Sequence, residues 1–268
     1  SLDKMLNTSD GISIATPTTS HFKIAKECIK KDCHVLIEKP ITADIEEARR
    51  LVVLAQRSNK IIQVGHIERF NPAFSSIMGK RVTPLFVESH RLSPFNIRGT
   101  DVDVVLDLMI HDIDILLTLV KSDVLEIRAA GVSVLSKKID TANARIEFKN
   151  GCVANITASR IAQKKLRKFR FFEKNSYTTI DFLNPSIEKY TLTNKKPLDQ
   201  SYMMINNLGR KYILYEKPKI KNYNALQMEL ENFIASISTS RQPLIDGFSG
   251  LSALVIAIQI QDYIKNNI

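Results

Sequence analysis

Two regimes of hydrophobic patterning divide the chain. Through residue 70, short apolar runs alternate with stretches of helical period. Gly11-Ile-Ser-Ile-Ala15 is a strand-length run that Thr16-Pro17 stops. Residues 20–31 repeat Phe22, Ala25, Cys28 and Ile29 on one helical face. His34-Val-Leu-Ile37 is a second apolar run. Thr42 is the expected cap of the next helix, with Asp44, Glu46 and Glu47 at its start and Arg49, Arg50 and Arg57 further along, a polarity that suits the helix dipole. Ile45, Ala48, Leu51, Val52 and Ala55 form its apolar face, and residues 60–65 are a third strand. The order βαβαβ argues for a parallel sheet, which binds ligands beyond the carboxyl ends of its strands. Those positions hold Thr16-Pro17-Thr18, Glu38-Lys39-Pro40 and His66. Residues 1–7 read as the end of a helix.

After Asn71-Pro72, period-two patterns dominate. Strands are expected at 84–92, 124–135, 142–148 and 153–161, with a hairpin turn at Lys149-Asn150-Gly151. Two more are expected at 168–182 and 187–192, joined through Asn184-Pro185. One long helix is expected at 102–120 and two at 223–238 and 250–265, while residues 193–221 read as a long loop. The fold class is α/β. Residues 1–70 form part of a parallel-sheet domain, and residues 71–268 form an α+β domain with an open, mostly antiparallel sheet.

Composition narrows the function classes. A chain of 268 residues with 44% hydrophobic and 25% charged positions excludes a mainly disordered protein. No apolar run approaches the roughly 20 residues of a bilayer span, and no signal-peptide pattern opens the chain. Three scattered cysteines, Cys28, Cys33 and Cys152, suit a reducing cytoplasm. The net charge is +10, and residues 160–174 hold seven basic side chains against one acidic. That excess reads as a solvated face or an attraction for a phosphate-bearing ligand. No nucleic-acid motif accompanies it, so neither a nucleic acid nor a membrane is expected as partner.

The helix at 102–120 is apolar almost all round, yet Asp107, His111 and Asp114 recur at i, i+4 and i+7. Burying three ionisable groups is costly, so this stripe is expected to face a cavity, a ligand or other charges. An Asp one turn before a His can fix its ring, which points to acid/base chemistry. Metal ligation by the same three is the alternative, and no metal is assigned. Lys39, at a strand's carboxyl end, is the second candidate; a Glu38–Lys39 surface pair is its plainer reading.

Ile14-Ala-Thr-Pro-Thr18 with His21, His34-Val-Leu-Ile-Glu-Lys-Pro40, Val64-Gly-His66 with Arg69-Phe-Asn-Pro72, and Asp107-Leu-Met-Ile-His111-Asp112 occur in this order. Together they resemble the glucose-fructose oxidoreductase / inositol dehydrogenase (Gfo/Idh/MocA) family, across essentially the whole chain. The resemblance implies a Rossmann domain, of which residues 1–70 are the C-terminal half, followed by a substrate-binding and oligomerisation domain. It implies NAD or NADP as cofactor and a sugar or polyol carbinol as substrate. Lys39 would lie near the nicotinamide and the reacting hydroxyl. His111 would be the acid/base, with Asp107 beside it, and Thr16, Pro17, His21 and Glu38 would line the nicotinamide and ribose. A His accepts the hydroxyl proton near neutral pH, and an ammonium stabilises the developing oxyanion.

The stretches around Gly65–Ala73, Ser89–Pro94 and Asp103–His111 most resemble members that oxidise the 3-hydroxyl of UDP-N-acetylglucosamine. On that likeness Arg69, Asn71, Arg91 and Asp114 are candidate substrate contacts, with structural roles at a domain junction as the alternative for the arginines and Asn71. An NAD-assisted glycosidase and a non-catalytic sugar-binding scaffold remain open, and assembly as a homodimer or homotetramer through the open sheet is expected. The family's Gly-x-Gly-x-x-Gly turn has no counterpart in the sequence. The chain is therefore expected to begin partway through its dinucleotide domain, with two further βα units of roughly 30 residues each before it, and to bind dinucleotide poorly as it stands.

Overall fold

The computed structural model describes residues 5–96, 102–196, 202–205 and 211–267, the backbone alone for 202–205. Of the helix end expected at 1–7, Met5 and Leu6 are helical and residues 1–4 lie outside the described residues. The chain divides into two compact units. The first comprises the residues up to Phe70 together with Asn224–Gln259; the second comprises Asn71–Tyr223 and the residues from Ile260 onward. Residues 224–259 thus pack with the parallel sheet rather than with the segment that precedes them in sequence.

In the first unit, β1 (Gly11–Ile14), β2 (His34–Glu38) and β3 (Ile62–Gly65) form a parallel sheet in that order. The crossovers are α1 (His21–Lys30) and α2 (Ile45–Arg57). Their buried faces are Ala25, Cys28 and Ile29, and Ala48, Leu51, Val52 and Ala55, as the 3.6-residue period requires. The cap of α2 is Asp44, not Thr42. Asp44 Oδ1 accepts from Glu47 N at 3.0 Å, while the Thr42 hydroxyl donates to the Asp44 carbonyl at 2.6 Å and shapes the approach. Two further helices join this unit, α5 (Ala225–Thr239) and the start of α6 (Gly247–Asn266). A Cβ at Gly250 would sit 2.5 Å from Val64 Cγ2, so glycine is what lets α6 lie against β3. Length and composition would allow α6 to cross a bilayer, contrary to the reading of the sequence; here Ala253, Leu254, Ala257, Ile260 and Ile264 are buried in the protein.

The second unit opens with one helical turn, α3 (Pro72–Ser75). Its sheet contains β4 (Phe86–Leu92), β5 (Val124–Val132), β6 (Thr141–Phe148), β7 (Val153–Ser159), β8 (Leu166–Glu173), β9 (Ser176–Asp181), β10 (Ser186–Thr193), β11 (Tyr202–Ile205) and β12 (Lys211–Glu216). The order is β11-β12-β10-β9-β8-β4-β7-β6-β5, antiparallel throughout except for β4 beside β7. The run at 168–182 is a hairpin rather than one strand, turning at Lys174-Asn175. Residues 193–221 contribute β11 and β12 rather than a plain loop.

Alternation puts Ala144, Ile146, Ala154, Ile156, Phe169 and Phe171 in the core. The opposite face carries an aromatic ladder across five strands. Ring centroids are 5.7 Å apart for Phe86–Phe172, 5.4 Å for Phe172–Tyr177, 4.8 Å for Tyr177–Tyr190 and 4.9 Å for Tyr190–Tyr215. The basic stretch at 160–174 is not one solvated face. Arg160 turns inward to Asp140 at 2.9 Å, and Arg170 pairs with Glu88 at 3.6 Å.

Candidate active site

The first unit gathers its polar residues at the carboxyl ends of the parallel strands. Thr16 and Pro17 are exposed just past β1, and Glu38 and Lys39 are half-buried at the end of β2. His21 is 1% exposed, with Nδ1 3.0 Å from the Pro40 carbonyl oxygen and Nε2 2.9 Å from that of Thr16. Its ring therefore ties the loop after β1 to the loop after β2 and presents no open edge. The Ser20 hydroxyl donates within the same turn, to Thr16 Oγ1 at 2.8 Å and to the Pro17 carbonyl at 2.7 Å. The Lys39–Pro40 peptide is cis. Glu38 is paired in register with Gly65, and its Oε2 lies 3.1 Å from where a Gly65 Cβ would be. The glycine leaves the room that the carboxylate occupies.

Arg69 and Asn71 are buried and engaged with the main chain. Arg69 donates to the Leu244 carbonyl at 3.4 Å. Asn71 accepts from Ala73 N at 3.1 Å, capping α3, and its Nδ2 donates to the Phe182 carbonyl at 3.0 Å. These contacts give both residues a part in holding the main chain.

In the second unit the long helix starts as a π-helical turn, Val105–Met109, and continues as α4 (Ile110–Val120). Ile110 N reaches the Val105 carbonyl, five residues back. Such wide turns recur at functional sites. Asp103 caps this start, accepting from Val105 N at 3.0 Å and Leu106 N at 3.2 Å. The helix is buried nearly all round, but Asp107, Leu108 and His111 form a partly exposed edge. Asp114, the third position of the expected stripe, is 1% exposed and belongs to the interior. Two residues before it, Asp112 binds Arg91 through both oxygens, Nε to Oδ2 at 2.8 Å and NH2 to Oδ1 at 3.1 Å. The Arg91 guanidinium also lies 5.9 Å from the Phe182 ring centre. The sequence pointed to Arg91 but not to its partner, because Asp112 lies off the 107-111-114 stripe.

A half-exposed ammonium, a half-buried carboxylate and an exposed Thr-Pro turn at strand ends suit the nicotinamide end of a dinucleotide. The 268 residues hold no Gly-x-Gly-x-x-Gly turn for its pyrophosphate. An imidazole with an aspartate one turn before it, on the exposed edge of a buried helix, can take up and return a proton.

Comparison with known proteins identifies both domains. Residues 1–66 match the model of an oxidoreductase family with an NAD-binding Rossmann fold, and residues 83–175 match the GFO/IDH/MocA C-terminal domain. The chain is 35% identical over 263 residues to the UDP-N-acetylglucosamine 3-dehydrogenase of Acidithiobacillus ferrooxidans, covering 97% of this chain and 80% of that protein. The solved structure of that enzyme superposes with a TM-score of 0.89 over 99% of this chain and 82% of its own, at 34% identity. The myo-inositol 2-dehydrogenase of Thermotoga maritima is 22% identical, covering 92% of this chain and 75% of that protein. An aldose-aldose oxidoreductase from Caulobacter crescentus shares the fold at a TM-score of 0.80 and 14% identity.

Proposed function

The chain belongs to the GFO/IDH/MocA family of NAD-binding oxidoreductases, and on that premise we propose that it oxidises the 3-hydroxyl of a UDP-linked amino sugar. The observation that carries the acid/base assignment is the partly exposed edge of Asp107, Leu108 and His111 on a largely buried helix. The nucleotide-sugar assignment is supported by the 35% identity to the Acidithiobacillus enzyme along 97% of the chain. A bound nicotinamide supplies the hydride acceptor. In this reading His111 takes the hydroxyl proton, Asp107 one turn earlier holds the imidazole, and the Lys39 ammonium stabilises the oxyanion as it forms. Thr16, Pro17 and Glu38 wall the nicotinamide and ribose, with His21 fixing the main chain that presents them. Arg69, Asn71, Arg91 and Asp114 then act on the substrate through the loops and helix they hold in place.

The three cysteines are buried thiols, which supports work in a reducing cytoplasm. The aromatic ladder across β4, β8, β9, β10 and β12 is the surface through which we expect two or four copies to assemble. A Tyr190→Glu variant that keeps the wild-type mass in solution would remove that expectation.

The test is turnover by the protein as its gene encodes it, with NAD or NADP and UDP-N-acetylglucosamine, followed as reduced nicotinamide. Reduction with this substrate, and not with the unlinked sugar or inositol, is the expected result. Reduction with inositol alone overturns the nucleotide-sugar assignment. Glycoside cleavage without net reduced cofactor would mark an NAD-assisted glycosidase, and binding without turnover a scaffold.

A further inference from the structure

The helix α5 is built against the usual rule. Its buried side chains are Glu229, Phe233 and Ser236, while Leu226, Leu230 and Ile234 are exposed. A glutamate at the head of a core face has no structural advantage over leucine. Glu229 is 1% exposed, and its Oε1 has no hydrogen-bond partner.

Its surroundings explain what it faces. Gln63 of β3 donates from Nε2 to the Glu229 carbonyl at 2.8 Å, which pins this turn of α5 over the sheet. Two residues on, and so on the same face of β3, is Gly65, whose missing side chain leaves the space that the Glu38 carboxylate enters. The half-buried Glu38 carboxylate therefore lies on the face of the sheet that this turn of α5 covers. Burial, and then the charge of Glu38, push the Glu229 carboxyl up to about 8. The other charged groups on the elements packed here are Glu68 and Arg69, on the short helix Ile67–Phe70 after β3, with His66 just before them. Asp246, which bridges to Gln63, is held by Ser249 N at 2.8 Å. On α5 itself the remaining acid is Glu231, which is exposed and bonded to Gln227 at 2.8 Å.

We propose that Glu229 is a positioning residue for the cofactor loop: while it is neutral the Glu38 side chain rests over Gly65, and a charge on Glu229 pushes Glu38, and Lys39 with it, away. Like charges placed close together repel; Gln63 pins this turn of the helix and His21 holds the Pro40 carbonyl, so the displacement falls on Glu38 and Lys39. The consequence for catalysis rests on the proposed reading of Lys39 and Glu38 as nicotinamide neighbours; the coupling of Glu229 to the loop does not.

The test therefore reads the loop and the cofactor separately. In protein labelled for NMR, one glutamate carboxyl is expected to titrate near pH 8, with the Lys39 and Gly65 amides following the same transition. In Glu229→Gln all three changes vanish; Glu229→Met serves if that variant does not fold. NADH affinity of the wild type is expected to fall about tenfold between about pH 7 and pH 9, one pH unit past the midpoint being tenfold in the protonated fraction, and to stay flat in the variant. Amides of Lys39 and Gly65 that do not move, or move equally in Glu229→Gln, overturn the proposal. With the protein as its gene encodes it, an intact amide transition without NADH binding at any pH supports the coupling and overturns the cofactor role of the loop.

Discussion

Arg91 and Asp112 form a two-pronged ion pair in the interior of the second unit, with side chains 3% and 2% exposed. The strand β4 supplies one partner and the helix α4 the other, so the pair fixes the helix that carries His111 to the sheet. Removing one partner leaves the other charge buried and uncompensated, a loss of roughly 3–5 kcal/mol. Asp112→Ala is expected to lower stability by that amount in urea unfolding, and Arg91→Lys by less, because an ammonium cannot reproduce the fork. A role of Arg91 in substrate binding alone would instead raise KM in Arg91→Lys with the unfolding midpoint unchanged.

His111 and Asp107 occupy a partly exposed edge of a helix that is otherwise largely buried. Their truncation removes little packing. His111→Ala is expected to lower kcat by roughly 10²–10⁴ while moving Tm by only a few degrees. Asp107→Asn should lower kcat less and leave KM for the sugar near its wild-type value. Lys39→Met should also reduce kcat. Full turnover in both His111→Ala and Lys39→Met removes their assigned roles, and a large fall in Tm for His111→Ala would make it a structural residue.

Glu229 also makes a prediction about the folded protein without ligand. Its carboxyl titrates near 8 in the folded state, against the ordinary value of 4.5. A group raised in this way releases its proton earlier when unfolded, so stability is greatest below about pH 4.5 and is lost progressively as pH rises to about 8. The whole effect is on the order of 3–5 kcal/mol. Wild-type stability should therefore fall between about pH 5 and pH 8 more steeply than that of Glu229→Gln. Parallel curves in guanidinium titrations would show that Glu229 is ionised in the folded state.

The readable parts of this chain were those where one period dominates. Strands β1, β2 and β3 are short, mostly apolar runs between helices with clear faces. The hairpin at Lys174-Asn175 escaped because no glycine or proline marks it and polar Lys168 and Arg170 already alternate with Phe169 and Phe171. Strands β11 and β12 escaped because their segment mixes Lys with Tyr and Met on a sheet edge, where one face need not be apolar. The edge of Asp107 and His111 was visible as ionisable residues in an apolar helix, but a straight helical count also placed Asp114 there. The π-helical turn lies between Asp103 and Ile110 and cannot be seen in residue types. Glu229 was invisible for the opposite reason, since a glutamate in a helix normally signals a wetted face.

A second buried acid obeys the reverse pH rule. Asp140 precedes β6 and is fully buried. Its Oδ2 accepts from Val134 N, Leu135 N and Ser136 N at 2.8, 2.7 and 2.8 Å, and Oδ1 accepts from the Ser136 hydroxyl at 2.7 Å and Arg160 Nε at 2.9 Å. Burial pushes this carboxyl up, but the Ser136 hydroxyl and the three main-chain donors outweigh it and hold it well below the usual carboxylate range. A depressed group stabilises the fold above its unfolded value of 3.8, and that contribution fades as pH falls below about 4. Arg160 gains from the same arrangement, donating to the Val102 carbonyl at 2.8 Å and to Ser136 Oγ at 3.0 Å, so it ties the loop before β6 to the entry of the His111 helix. Asp140→Asn leaves the Arg160 charge buried and removes one acceptor, and should lower stability by about 3 kcal/mol at neutral pH. The Tm difference from wild type should then shrink as pH falls from about 4 toward about 2, where the unfolded chain takes up the proton that the folded carboxylate does not. A difference that stays constant over that range would mean that packing, not charge, holds the loop.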